Sequence, residues 1–160
     1  MIPLIELCPK CFAHNPEIQK TSACPYCNWD GDTHYVNDMY KLPVGTILKD
    51  RFIIGRVLSE GGSSVTYIAF DTVDDKRFCI KEFYPKFYVH REFKDGKCSV
   101  RPNEGKEMTF KIDRQKFMEE SKLNAGSDKR MAVKDMFSTG NTVYVLMSAD
   151  DSVWKSLING

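Results

Sequence analysis

The sequence predicts an α+β protein, in which a small zinc ribbon precedes a lobe built from a five-stranded antiparallel sheet and one helix. Three observations predict it. Two identical cysteine brackets, Cys8-Pro-Lys-Cys11 and Cys24-Pro-Tyr-Cys27, lie near the N-terminus. Beyond residue 50 come five runs rich in β-branched and aromatic residues. After the third run, one stretch takes on helical spacing of its apolar residues.

The cysteine brackets come first. In a C-x-x-C turn both sulfurs point to one centre, and a second turn completes a tetrahedron. Twelve residues separate the pairs, and a Pro follows the first cysteine of each, where its fixed φ pre-shapes the turn. Asn28 follows the last cysteine and tolerates the left-handed conformation such a turn often needs. Four thiolates leave no open position for water, so Cys8, Cys11, Cys24 and Cys27 predict a structural zinc rather than a catalytic one. Disulfides would need an oxidising compartment. A redox pair of the thioredoxin type would need a βαβ context, which is missing. A segment of about thirty residues cannot bury a stable core, so the metal is expected to hold it folded. Cys79 and Cys98 stand apart and are read as non-ligands.

Residues 1–32 form the expected ribbon and 33–44 a linker ending near Pro43. The lobe is placed at 45–149. Its first strands are Arg51 to Leu58 and Val65 to Phe70, joined by the small-residue turn Ser59-Glu60-Gly61-Gly62-Ser63-Ser64. Arg77 to Phe83 is a third strand, and the three read as an antiparallel meander. An Asp95-Gly96 turn within Tyr84 to Arg101 predicts a hairpin. Met108 to about Ala125 fits a helix with Phe110, Phe117, Met118, Ser121 and Ala125 on one face. Met131 to Phe137 and Thr142 to Met147 complete the sheet, and residues 150–160 begin another helix.

Composition sets the outer bounds. Of 160 residues, 42% are hydrophobic and 28% charged, the balance of a folded chain. A net charge of +1 gives no basis for binding nucleic acid or a membrane surface. No apolar run is long enough to span a bilayer. The N-terminus predicts no signal peptide, and the ends carry no lipidation motif, so a cytoplasmic location is expected.

The lobe resembles the N-terminal lobe of bacterial Ser/Thr protein kinases. The segment LPVGTILKDRFIIGRVLSEGGSSVTY, from Leu42, resembles the opening of those domains. Cys79-Ile80-Lys81-Glu82-Phe83-Tyr84-Pro85 resembles their lysine strand, and Lys116 to Ser121 resembles part of their helix. Thr142 to Met147 resembles the strand leading to their hinge. A cysteine ribbon ahead of the kinase domain is also familiar in this group. The resemblance implies that Lys81 contacts the α- and β-phosphates of ATP, held by Glu120, with Glu119 as the alternative. It implies Met147 as gatekeeper, Ser148 and Ala149 as hinge, Leu58 and Thr66 over the base, and Gly61 and Gly62 over the phosphates.

The sequence departs from the family in three ways, one of them a hinge that reads Ser148-Ala149 in place of Glu-Tyr. Ser59, Ser63 and Ser64 thin out the glycine loop, which weakens the expected contact with ATP and magnesium. No His-Arg-Asp or Asp-Phe-Gly motif occurs in these residues, so they hold no catalytic or magnesium-binding aspartate. Two functions are therefore expected. One is the ATP-contacting front part of a Ser/Thr kinase, inactive in phosphoryl transfer by itself. The other is a pseudokinase-like interaction module. Either leaves an apolar lobe surface for a missing C-terminal lobe or a protein partner.

Overall fold

The computed structural model describes Cys8, Phe12, Cys24 and residues 41–123 and 131–149. Most of the expected ribbon, Cys11 and Cys27 included, lies outside these residues, as do the linker up to Tyr40 and residues 150–160.

Among the described residues, six strands form one sheet. They are β1 (Ile47–Leu48), β2 (Phe52–Glu60), β3 (Ser64–Asp71), β4 (Lys76–Phe83), β7 (Met131–Thr139) and β8 (Thr142–Ala149), in the spatial order β1-β2-β3-β4-β8-β7. All neighbours are antiparallel. The five expected strands are all present, with the two-residue β1 added at the edge. Register is continuous from Ser64↔Phe83 to Asp71↔Lys76 between β3 and β4. It shifts between Ile54 and Ser59 in β2, so Leu58 lies on an irregular stretch.

A hairpin of β5 (Val89–Lys94) and β6 (Lys97–Pro102) is inserted after β4. Its tip is Asp95-Gly96, with φ of 54° and 76°. Two left-handed residues match the twist of a tight hairpin, which is why this dipeptide signals one. The same logic builds the β7–β8 turn at Gly140-Asn141, with φ of 59° and 65°.

Helix α1 (Glu107–Leu123) follows the hairpin. Glu107 in its first turn and Lys122 in its last complement the helix dipole. Phe110 and Phe117, two turns apart, are its buried residues. Both pack on Phe83 of β4, with ring centroids 5.6 and 5.2 Å away.

Side chains alternate along β4. Phe78, Ile80 and Glu82 face one side; Cys79, Lys81 and Phe83 face the other. The first side is covered by the β5–β6 hairpin and by Leu42, which belongs to the core although it falls within the expected linker. The second side takes the helix. The hairpin is tied to the β7–β8 turn, where Val100 N–H donates to the Gly140 carbonyl at 2.8 Å and the Asn141 amide donates to the Val100 carbonyl at 2.9 Å.

Candidate functional site

Lys81 lies in the middle of the sheet, opposite Thr66 of β3 and Val145 of β8. Met147 of β8 lies opposite Cys79, on the same side of the sheet. Lys81, Thr66 and Met147 are thus brought together on one face by strand register alone. Cys79 has no exposure, and burial pushes its thiol up to about 12, so it stays protonated.

The Lys81 ammonium sits over the Phe117 ring, 5.8 Å from its centroid. This cation–π contact takes the place of an ion pair with Glu120. Glu120 is exposed, and among the described residues it makes no ion pair with Lys81. Glu119 is exposed too and accepts a hydrogen bond from Gln115 at 3.1 Å. Helical phase explains this. Phe117 faces the sheet, and Glu120, three residues on, is turned roughly 60° away from it.

The β2–β3 turn holds Gly61 and Gly62 in open positions. A Cβ at Gly61 would meet nothing within 4 Å, and at Gly62 only the edge of Phe87 at 3.6 Å. The turn closes through Gly61 N–H to the Ser64 carbonyl at 2.9 Å and is anchored by Tyr84 N–H to the Ser63 carbonyl at 2.8 Å. Ser148 and Ala149 end β8, opposite Ala132 and Met131 of β7.

Next to Lys81 the structure holds a group that sequence reasoning did not identify. Glu82 is fully buried. Its carboxylate accepts two hydrogen bonds from Arg91 of β5, at 2.7 and 2.9 Å. Tyr144 donates to it at 2.6 Å and Tyr67 at 3.3 Å. The Tyr67 oxygen also accepts from Leu42 N–H at 3.0 Å. Arg91 lies over the Tyr84 ring, 4.5 Å from its centroid, and donates to Cys98 Sγ at 3.4 Å. Burial opposes the charge on Arg91, but the bonds and charge of Glu82 outweigh it and raise its pKa. Burial first, then the Glu82 charge, raises the hydroxyls of Tyr67 and Tyr144. The available signal was parity: Glu82 falls on the apolar side of β4 with Phe78 and Ile80. Its partner, in a separate hairpin, has no sequence signature.

Cys8 and Cys24 are both buried. Phe12 N–H donates to the Cys8 carbonyl at 2.7 Å, closing the first cysteine turn. Two buried thiols, one of them on a closed turn, suit a thiolate-held metal. No cluster of three or more candidate metal ligands occurs among the described residues, which omit Cys11 and Cys27. No described helix is long and apolar enough to cross a membrane.

With this geometry in hand, the chain is similar to a solved structure titled "PpkA-294 apo form", of a bacterial Ser/Thr kinase, with a TM-score of 0.60 and 26% identity. The match covers 68% of this chain and 38% of that one, so the chain spans well under half of that kinase. No protein-family model matches the chain, and no curated protein does. The lobe therefore has a kinase-like α+β fold.

Proposed function

We propose that this chain is the nucleotide-contacting front lobe of a Ser/Thr protein kinase, preceded by a ribbon that holds one structural zinc through Cys8, Cys11, Cys24 and Cys27. The observation that carries the reading is the position of Lys81, central in the sheet and on one face with Thr66 and Met147. An ammonium fixed on a rigid strand suits the α- and β-phosphates of ATP. Thr66 and Leu58 would lie over the base, Met147 behind it, and the backbone of Ser148 and Ala149 at its edge. Gly61 and Gly62 would lie over the phosphates, with magnesium accompanying the nucleotide. Phosphoryl transfer needs a catalytic aspartate and a magnesium-binding aspartate, which these residues do not include. The work proposed for them is nucleotide contact, in the cytoplasm, against a C-terminal lobe or partner.

A second reading is favoured by the Lys81–Phe117 contact and by the exposure of Glu120. In it the lobe is a pseudokinase-like interaction module that does not use nucleotide. Thermal unfolding with and without magnesium-ATP separates the two. At ten times its Kd, a ligand adds about 1.4 kcal/mol, or roughly 5 °C for a lobe of this size. The kinase reading expects that shift in the native chain and its loss in Lys81→Ala. No shift in the native chain sinks nucleotide contact by this lobe and favours the interaction module.

A further inference from the structure

Phe12 combines three features that local preference alone does not produce. It follows the second cysteine of the first bracket, and its φ is 57°. That left-handed conformation is natural for Gly or Asn and unfavourable for a bulky aromatic residue. Its ring is nevertheless buried, with 7% of its surface exposed. The ring lies against Phe70 of β3, with centroids 5.8 Å apart.

The sheet answers with a gap shaped for that ring. Gly55 interrupts β2, where glycine is a poor strand former. A Cβ at Gly55 would fall 2.6 and 2.9 Å from two ring carbons of Phe12 and 2.7 Å from the Ile68 side chain. No side chain larger than hydrogen fits while the ring is in place. Ile68 and Phe70 continue the face that carries Thr66, and Ile68 lies directly opposite Cys79. The ring therefore docks on the Lys81 side of the sheet, along β3 from the proposed nucleotide position.

We propose that Phe12 fastens the cysteine-bearing N-terminal segment into a socket at Gly55, so that metal loading of that segment is coupled to the stability of the lobe. The coupling rests on the zinc reading above; the docking rests on Phe12, Gly55, Ile68 and Phe70. The reason is mechanical. Phe12 has this φ in the turn that closes on Cys8, and from that turn its ring enters the socket. Metal that holds the turn holds the ring, and an occupied socket stabilises β2 and β3.

Phe12→Gly in the full chain is the decisive variant. Glycine suits a φ of 57° better than Phe does, so the cysteine turn and its zinc are kept while the ring is removed. Zinc content is measured on each sample, and lobe unfolding is followed by near-UV circular dichroism of its buried tyrosines, with and without a zinc chelator. The native chain is expected to hold about one zinc and to lose several degrees of unfolding midpoint on chelation. Phe12→Gly is expected to keep zinc, unfold several degrees lower, and respond little to the chelator. Gly55→Ala, which blocks the socket from the other side, is expected to show the same muted response. A Phe12→Gly midpoint equal to or above the native one overturns the docking, because local preference alone predicts that result. A zinc-loaded native chain whose lobe ignores the chelator overturns the coupling. A native chain without zinc overturns the zinc reading together with the coupling built on it.

Discussion

Replacing Arg91 by Met tests the buried cluster behind Lys81. The substitution keeps much of the stem volume and removes the guanidinium. Both side chains of the pair are out of solvent, with 1% of Arg91 and none of Glu82 exposed. After the change, the Glu82 carboxylate keeps Tyr144 at 2.6 Å and Tyr67 at 3.3 Å but has lost the Arg91 cation. Two charge-assisted bonds at about 1.5–3 kcal/mol each give a loss of roughly 3–6 kcal/mol. Measured losses on removing one partner of a buried pair fall in the same range, about 3–5 kcal/mol. Against a domain stability of about 5–15 kcal/mol, that is a large fraction. Urea unfolding followed by circular dichroism measures it. Adding Glu82→Gln to Arg91→Met neutralises the stranded charge and leaves an amide oxygen for Tyr144, so at least half of the loss is expected to return. A loss below about 1 kcal/mol for Arg91→Met would place the pair with exposed ion pairs and refute the reasoning. So would a double variant less stable than Arg91→Met alone.

Three further outcomes follow from the same structure. Phe83→Ala removes the ring that meets Phe110 and Phe117, and is expected to cost about 3–5 kcal/mol in urea unfolding. Gly140→Ala is expected to destabilise by more than about 1 kcal/mol, because its Cβ would lie 2.6 Å from the Cys98 carbonyl oxygen at a φ of 59°, whereas Gly61→Ala, in open space, is expected to change stability by less than about 0.5 kcal/mol. The hydrogen bonds from Arg51 at 2.7 Å hold the Asp71 carboxyl below its ordinary value despite burial. Its contribution is therefore full above the unfolded value of about 3.9 and is lost as pH falls through the lower folded value. Thermal midpoints measured across that acid range should fall less steeply for Asp71→Asn than for the native chain.

Much of the fold was legible because strand, turn and helix patterns are local. The runs of β-branched and aromatic residues marked the five main strands, and Asp95-Gly96 marked the inserted hairpin. Phe110 and Phe117 announced the buried side of α1 by their spacing. The two-residue β1 left no pattern, since so short an edge strand has no period to read. Leu42 read as linker because nothing local shows that Tyr67, on β3, would receive its N–H.

The candidate site divides along the same line. Lys81, Thr66 and Met147 were found by resemblance, and strand register then put them on one face. The expected Lys81–Glu120 pair depends on the rotation of a helix, which one residue of phase changes; here Phe117 stands over the lysine instead. Glu82 and Arg91 are nine positions apart in sequence and meet only because the hairpin folds back over the sheet.

By itself the sequence determined the main elements, their order, the four cysteines and the strand that carries Lys81, since each is written in neighbouring residues. Only the tertiary structure decided what those elements do to one another. It buried Glu82 against Arg91, turned Glu120 outward, and opened at Gly55 a space that Phe12 fills. Such arrangements arise between separate elements, so they are set by how surfaces fit and how buried charges are compensated, and no local pattern records that.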